Sequence, residues 1–397
     1  MRPLAAQLAR AIAPHPETAL ACQIALAPPE VAREAWDRWL AYLGAGGGII
    51  GASHATGRVL PLFAGRLKTL GLADHPLAPR LRGIQRRVLA GNMVLWSGLR
   101  PLLERFLAWG LRVALVGGIG RARAVYPDFG TRYLQRVDLW IPPEELTDAL
   151  AIIRETRDWH PRFSVVSEPP VSDRHIFSGP PASPSTDVPR PASTTLVVRS
   201  HLIPESLGHG SDPFSRCSPL EVDGLSLLQP TPEHAIIQVA VDALEAAREN
   251  ASERYADWLT DLALTIDGRA VRAAGSSPAF GRASLVAEAT RYDVPLTLAT
   301  ALTCLPRVGV ALPSGVLAGL GPHGDREARA LEARVAETRP FDGVWRDYRH
   351  AIAPASPPLE AAVGFVRYLR LRLGVRGPAD VVRVARPALD RLYRRLR

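Results

Sequence analysis

Val113 to Ile141 reads VALVGGIGRARAVYPDFGTRYLQRVDLWI, and this stretch decides the fold. Val113 to Val116 is a short apolar run closed by Gly117-Gly118. The run is too short for a helix and ends on turn residues, so it predicts a strand. Gly118 to Val125 then predicts a short helix, and Val137 to Ile141 a second strand opened by Asp138. A strand feeding a glycine turn and a helix leaves the helix's first N–H groups free to receive a phosphate.

On either side the periodicity is helical. Val31, Ala32, Ala35, Trp36, Trp39, Leu40 and Leu43 recur at three- and four-residue spacing, as do Val88, Leu89, Met93, Leu95, Leu99, Leu102, Leu103 and Phe106. Downstream, Pro142-Pro143 with Glu144-Glu145 opens a helix to Thr156, since proline and carboxylates both suit a first turn. Glu168 to Thr195 is rich in proline and serine and is read as an exposed insertion. Its core, GPPASPSTDVPRPAS, has no pattern able to pack. Strand character resumes at Leu196 to Leu202, and Asp223-Gly224 within Leu220 to Leu228 marks a hairpin. Thr231-Pro232-Glu233 opens a further helix. The expected class is α+β. An N-terminal helical lobe spans 1–107, a small mixed-sheet core 108–229 with the insertion at about 168–195, and a C-terminal helical lobe 230–397.

With 47% hydrophobic residues the chain has ample material for packed cores, and no apolar run approaches the roughly 18 residues of a membrane span. The N-terminal MRPLAAQLARAIAPHPE interrupts its apolar part with Arg10 and reads as an amphipathic helix rather than a leader, so the expected location is cytoplasmic. Cys22, Cys217 and Cys304 are too scattered for a zinc site or a disulfide framework. The net charge of +9 is carried almost wholly by arginine, with Lys68 the only lysine. Such a balance steers phosphates towards the surface. The basic LDRLYRRLR at 389–397 reads as a docked final helix with solvated arginines.

Two phosphate-binding readings compete at the glycines. GGGIIG at 46–51 fits a dinucleotide fingerprint only formally, because a helical pattern precedes it, and no GK[ST] sequence exists. At Gly118 and Gly120 the third fingerprint glycine falls on Arg123, whose bulk opposes close helix–strand packing. Nucleotidyl transfer needs two magnesium ions held by carboxylates, and residues two apart on a strand present a carboxylate pair to one face. Here that pair reads Arg136-Val137-Asp138.

Leu115-Val116-Gly117, Tyr126-Pro127, Arg132 and Arg136-Val137-Asp138-Leu139-Trp140 resemble, in order and spacing, the uncharacterised nucleotidyltransferase-like family of the polymerase-beta superfamily. Arg58-Val59-Leu60-Pro61-Leu62, Thr231-Pro232-Glu233 and Asp261-Leu262-Ala263 extend the likeness from about residue 30 to 350. The resemblance implies a nucleotide site at Gly117 and Gly118, with Arg132 nearby and Asp138 as catalytic and metal-binding carboxylate. It also implies three departures. Val116 stands where the family carries lysine, Arg136 where it carries the first carboxylate, and Arg199, in Arg199-Ser200-His201-Leu202, where it carries the third.

One carboxylate cannot hold two magnesium ions between two arginines. The leading reading is therefore a nucleotidyltransferase-like protein with a degenerate site, in which Gly117, Gly118, Arg132, Arg136 and Arg199 bind a nucleotide or other phosphate, or in which the fold serves as a scaffold for a protein partner. The alternative is an active enzyme that moves a nucleoside monophosphate to an acceptor, with Mg²⁺ as cofactor and Asp128, Glu221 or Asp223 as substitute ligands. Nucleic acid is the less favoured partner, and no transmembrane segment is expected.

Overall fold

The computed structural model describes residues 8–9, 12–45, 52–156, 158–161, 174–178, 195–203, 213–248, 257–267, 281–312, 315–324 and 327–328, all within one compact unit. The glycine run at 46–51, the proline- and serine-rich 179–193 and the basic 389–397 lie outside the described residues.

The helices α1 (Pro16–Leu26), α2 (Pro29–Ala45), α3 (His54–Ala64) and α4 (Ala78–Ala108) precede the mixed region. The mixed region follows as β1 (Ala114–Val116), α5 (Gly117–Ala124), β2 (Arg136–Trp140), α6 (Leu146–Glu155), β3 (His160–Pro161), β4 (Arg174–Ser178), β5 (Thr195–Arg199), β6 (Ser218–Val222) and β7 (Leu225–Gln229). Helices then return as α7 (Pro232–Arg248), α8 (Asp257–Asp267), α9 (Arg282–Arg291), α10 (Pro295–Leu302) and α11 (Val316–Leu320). The class is α+β, built on a seven-stranded mixed sheet in the order β3-β4-β5-β2-β1-β7-β6.

At the sheet centre β2 runs antiparallel to β1, with Val116 opposite Asp138, and parallel to β5, with Asp138 opposite Val197 and Trp140 opposite Arg199. Alternation along these strands divides their side chains between two cores. Leu115, Val137, Leu139, Leu196 and Val198 pack with Leu99, Leu103 and Phe106 of α4 and Leu150 and Ile153 of α6. Ala114, Val116 and Trp140 point the opposite way, into a core shared with α1, α3, α7 and α8. Asp138 and Arg199 belong to that second face by register, so two charged groups are carried into an otherwise apolar layer.

Several boundaries differ from the sequence expectation for identifiable reasons. Strand β2 begins at Arg136 because pairing with Thr195 of β5 already starts there, which places Asp138 in the middle of the strand rather than at its opening. Strand β5 stops at Arg199 rather than Leu202. Ile141 donates the last ladder bond to Arg199, at 2.9 Å, and Pro142-Pro143 has no N–H with which to continue it. The range read as an insertion contains β4, which pairs antiparallel with β5 from Arg174↔Arg199 to Ser178↔Thr195. The short RHIFS segment is a strand because β5 offers it an open edge, a tertiary opportunity invisible in composition. At the hairpin, Asp223 (φ 49°) and Gly224 (φ 80°) both adopt the positive φ of a primed turn. Among the described residues no helix is long and apolar enough to cross a membrane.

Candidate functional site

Gly117 joins β1 to α5 with φ 62°, a left-handed conformation that a side chain strains. A Cβ built there would lie 2.8 Å from Oδ2 of Asp138. The backbone of the turn is thus pressed directly against the carboxylate. A Cβ at Gly118 would lie 3.1 Å from Nη2 of Arg132, so the two glycines separate two charged clusters.

The first cluster centres on Asp138, which is 1% exposed. Arg136 Nε donates to Oδ2 at 2.7 Å, while Arg199 Nε and Nη2 donate to Oδ1 at 3.1 and 2.8 Å. Both oxygens are therefore engaged by guanidinium groups. Burial by itself would raise the carboxyl pKa, but the adjacent Arg136 and Arg199 outweigh it and hold Asp138 down to about 2. Arg199 Nη1 also lies 3.6 Å from Oδ1 of Asp242 on α7. Arg199 is buried, whereas the Arg136 side chain is 49% exposed and uses only Nε on Asp138. Its two terminal amino groups have no hydrogen bond to any described residue. The facing carboxylate raises the Arg136 pKa, so the group keeps its charge.

The second cluster lies behind Gly118. Arg132 Nε and Nη2 form a two-point pair with Asp261 at 2.9 and 3.0 Å, and its Nη1 reaches Asp257 at 2.7 Å and the Tyr133 carbonyl at 2.6 Å. Arg58 of α3 also pairs with Asp257, and Tyr126 donates its hydroxyl to Asp261 at 2.7 Å. Arg121 stands 3.2 Å from Asp261 and donates to Oε1 of Gln238 at 3.2 Å. Gln238 Oε1 also receives the Gly117 N–H at 3.4 Å, while its Nε2 is buried with no hydrogen-bond partner among the described residues. Burial alone would raise the Asp261 pKa, but Arg132 and Arg121 bring it below the ordinary carboxylate range.

The structure thus gathers Gly117, Gly118, Asp138, Arg136 and Arg199 at one turn. Arg132 sits beside them, with its donors spent on Asp257, Asp261 and the Tyr133 carbonyl. Asp128, by contrast, closes its own loop by accepting from the Gly130 N–H at 2.7 Å, and Asp223 pairs with Arg123 at 3.2 Å. Among the described residues, no group of three or more His, Cys, Asp or Glu side chains could hold a metal ion. A magnesium ion takes several oxygen ligands, and a carboxylate with both oxygens committed to guanidinium N–H groups does not fit that demand.

Sequence reasoning missed Gln238 and Asp242, four apart on α7, and Asp257, four residues before Asp261 on α8. In each pair the i, i+4 spacing puts two polar side chains on one helix face, and that was the available signal. Arg58, Tyr126, Arg132 and Asp261 all lie in segments that carried the family likeness, and all four belong to the second cluster.

A search of curated proteins finds no match to this chain. Residues 53–308 match the model of a family described as "Uncharacterised nucleotidyltransferase". That span holds the complete β1–Gly117-Gly118–α5–β2 unit, β5 and both charged clusters, and by this match the chain belongs to the uncharacterised nucleotidyltransferase family.

Proposed function

We propose that this protein is a nucleotidyltransferase-like binding protein whose catalytic metal site has been replaced by ion pairs, and that it takes a nucleotide or related phosphate without magnesium. The observation that carries this reading is the engagement of both Asp138 oxygens by Arg136 and Arg199. The phosphate would lie against the partly exposed Gly118 at the N-terminus of α5, where the first-turn N–H groups favour an anion. Arg136 supplies the cation, since its terminal amino groups face no described partner. Arg132 and Arg199 act by holding the turn and Asp138 in place rather than by direct contact. A cytoplasmic setting remains part of this proposal and rests on the scattered cysteines.

Calorimetry with nucleoside triphosphates, in Mg²⁺ and then in a chelator, tests the reading. The expected result is equal binding in both, weakened roughly tenfold by Arg136→Gln, because a charge-assisted hydrogen bond contributes about 1.5–3 kcal/mol. Absence of binding under both conditions overturns it. The active alternative is favoured by Asp242, which shares the Arg199 guanidinium with Asp138, so that withdrawal of that arginine would leave two carboxylates near one another. Transfer of labelled nucleotide to an acceptor in Mg²⁺ or Mn²⁺, lost in Asp138→Ala, would establish that alternative instead.

A further inference from the structure

Helix α4 carries Arg80, Arg82, Arg86 and Arg87 in its first three turns, and all four are exposed. Among the described residues, none of the four has a hydrogen-bond or ion-pair partner. Arg100, Arg105 and Arg112, by contrast, pair with Glu104, with Glu155, and with Glu144 and Glu145. From His75 to Leu103 the sequence contains no Asp or Glu. The placement also opposes local stability. Cations near a helix N-terminus face the positive end of the dipole, and Arg82 and Arg86 repel each other at i, i+4. An uncompensated charge cluster in such a position calls for an external anion.

At 3.6 residues per turn these arginines share a continuous exposed arc of about 160° with Ala90, Met93, Val94 and Ser97. Met93 and Val94 are 48% and 42% exposed. On the opposite, buried face of the same helix, Asn92 Nδ2 donates to the carbonyls of Phe129 at 2.6 Å and Arg132 at 2.7 Å, holding the loop that delivers Arg132 to Gly118.

We infer that this face of α4 binds the phosphate backbone of a single-stranded nucleic acid. Guanidinium groups make two-point contacts to phosphate, and a row of them follows a chain of phosphates. Met93 and Val94 offer apolar contact to unstacked bases. An acidic membrane is the poorer fit: the large apolar residues of α4, such as Leu95, Leu99, Leu103 and Phe106, are buried in the protein and cannot enter lipid. The inference is independent of what the Gly117-Gly118 turn binds.

The test measures fluorescence polarisation of labelled single-stranded RNA and DNA against the full chain across salt concentrations, with phosphatidylserine vesicles in parallel. The variant Arg80→Gln/Arg82→Gln/Arg86→Gln/Arg87→Gln is compared with the native chain. Each single-strand phosphate contact contributes about 0.7 to the log–log salt slope, so loss of four lowers it by about 3 and weakens binding roughly tenfold or more. Circular dichroism and melting temperature are expected to be preserved, because none of the four side chains holds a partner among the described residues. Should the quadruple variant fold poorly, Arg86→Gln/Arg87→Gln is expected to show about half the slope change. Absence of nucleic-acid binding overturns the inference. So does an unchanged slope in the variants, which would place the contact elsewhere, and so does vesicle binding alone that depends on these arginines.

Discussion

Asp138 keeps its charge in an apolar layer only because two guanidinium groups face it, and the two are not equivalent. Arg199 is as buried as the carboxylate, whereas Arg136 is half exposed. Asp138→Asn removes the charge while keeping the shape and takes from Arg199 the carboxylate it meets at 2.8 Å, with Asp242 standing at 3.6 Å. We expect a loss of roughly 3–5 kcal/mol, the usual result of stranding a buried charge. Arg136→Gln should cost about 1 kcal/mol or less, as for other solvent-screened pairs. Urea denaturation followed by circular dichroism measures both, and equal losses would refute the asymmetry. Acid titration probes the same pair. The Asp138 pKa is depressed on folding to about 2, so its stabilisation is complete above the unfolded value of about 3.9 and disappears as pH falls through about 2. Glu288, held to about 2 first of all by its hydrogen bonds from Arg216, adds in the same window. Native stability should therefore fall between about pH 4 and pH 2, and less steeply in Asp138→Asn.

Among the elements, the β1–α5 turn is tightly constrained. Gly117 and Gly110 both have positive φ, at 62° and 74°, but only Gly117 has a neighbour where a Cβ would go. Gly110→Ala should cost about 1–2 kcal/mol for backbone conformation alone. Gly117→Ala adds a 2.8 Å approach to Asp138 Oδ2 and should cost measurably more. Thermal melts of the two variants side by side separate the contributions, and equal shifts would show that the turn yields at no cost. The sequence made this turn legible because an apolar run ending in Gly-Gly has few local solutions. It did not reveal β4, since that strand exists only because β5 has an edge to extend.

Across the whole molecule, Asp257 and Asp261 of α8 tie together α3, the loop after α5 and α5 itself. Asp257 receives both Arg58 and Arg132, so Asp257→Asn and Arg58→Leu should be strongly non-additive. A double-mutant cycle in urea should give a coupling above about 1 kcal/mol, and a value near zero would mean that the pair is not a structural link. Arg58, Tyr126, Arg132 and Asp261 were each recognisable in the sequence by resemblance, yet their convergence was not, because partners up to 199 positions apart meet only through the packing of separate helices. The same division holds at the site. By itself the sequence determined the strand–glycine turn–helix–strand unit and the presence of arginine at positions 136 and 199, since periodicity, turn chemistry and residue identity are local properties. Only the tertiary structure decided that both arginines take the same carboxylate. That outcome depends on the register of β2 against β5, which sets the sheet face that each side chain occupies, and on the distance that register leaves between them.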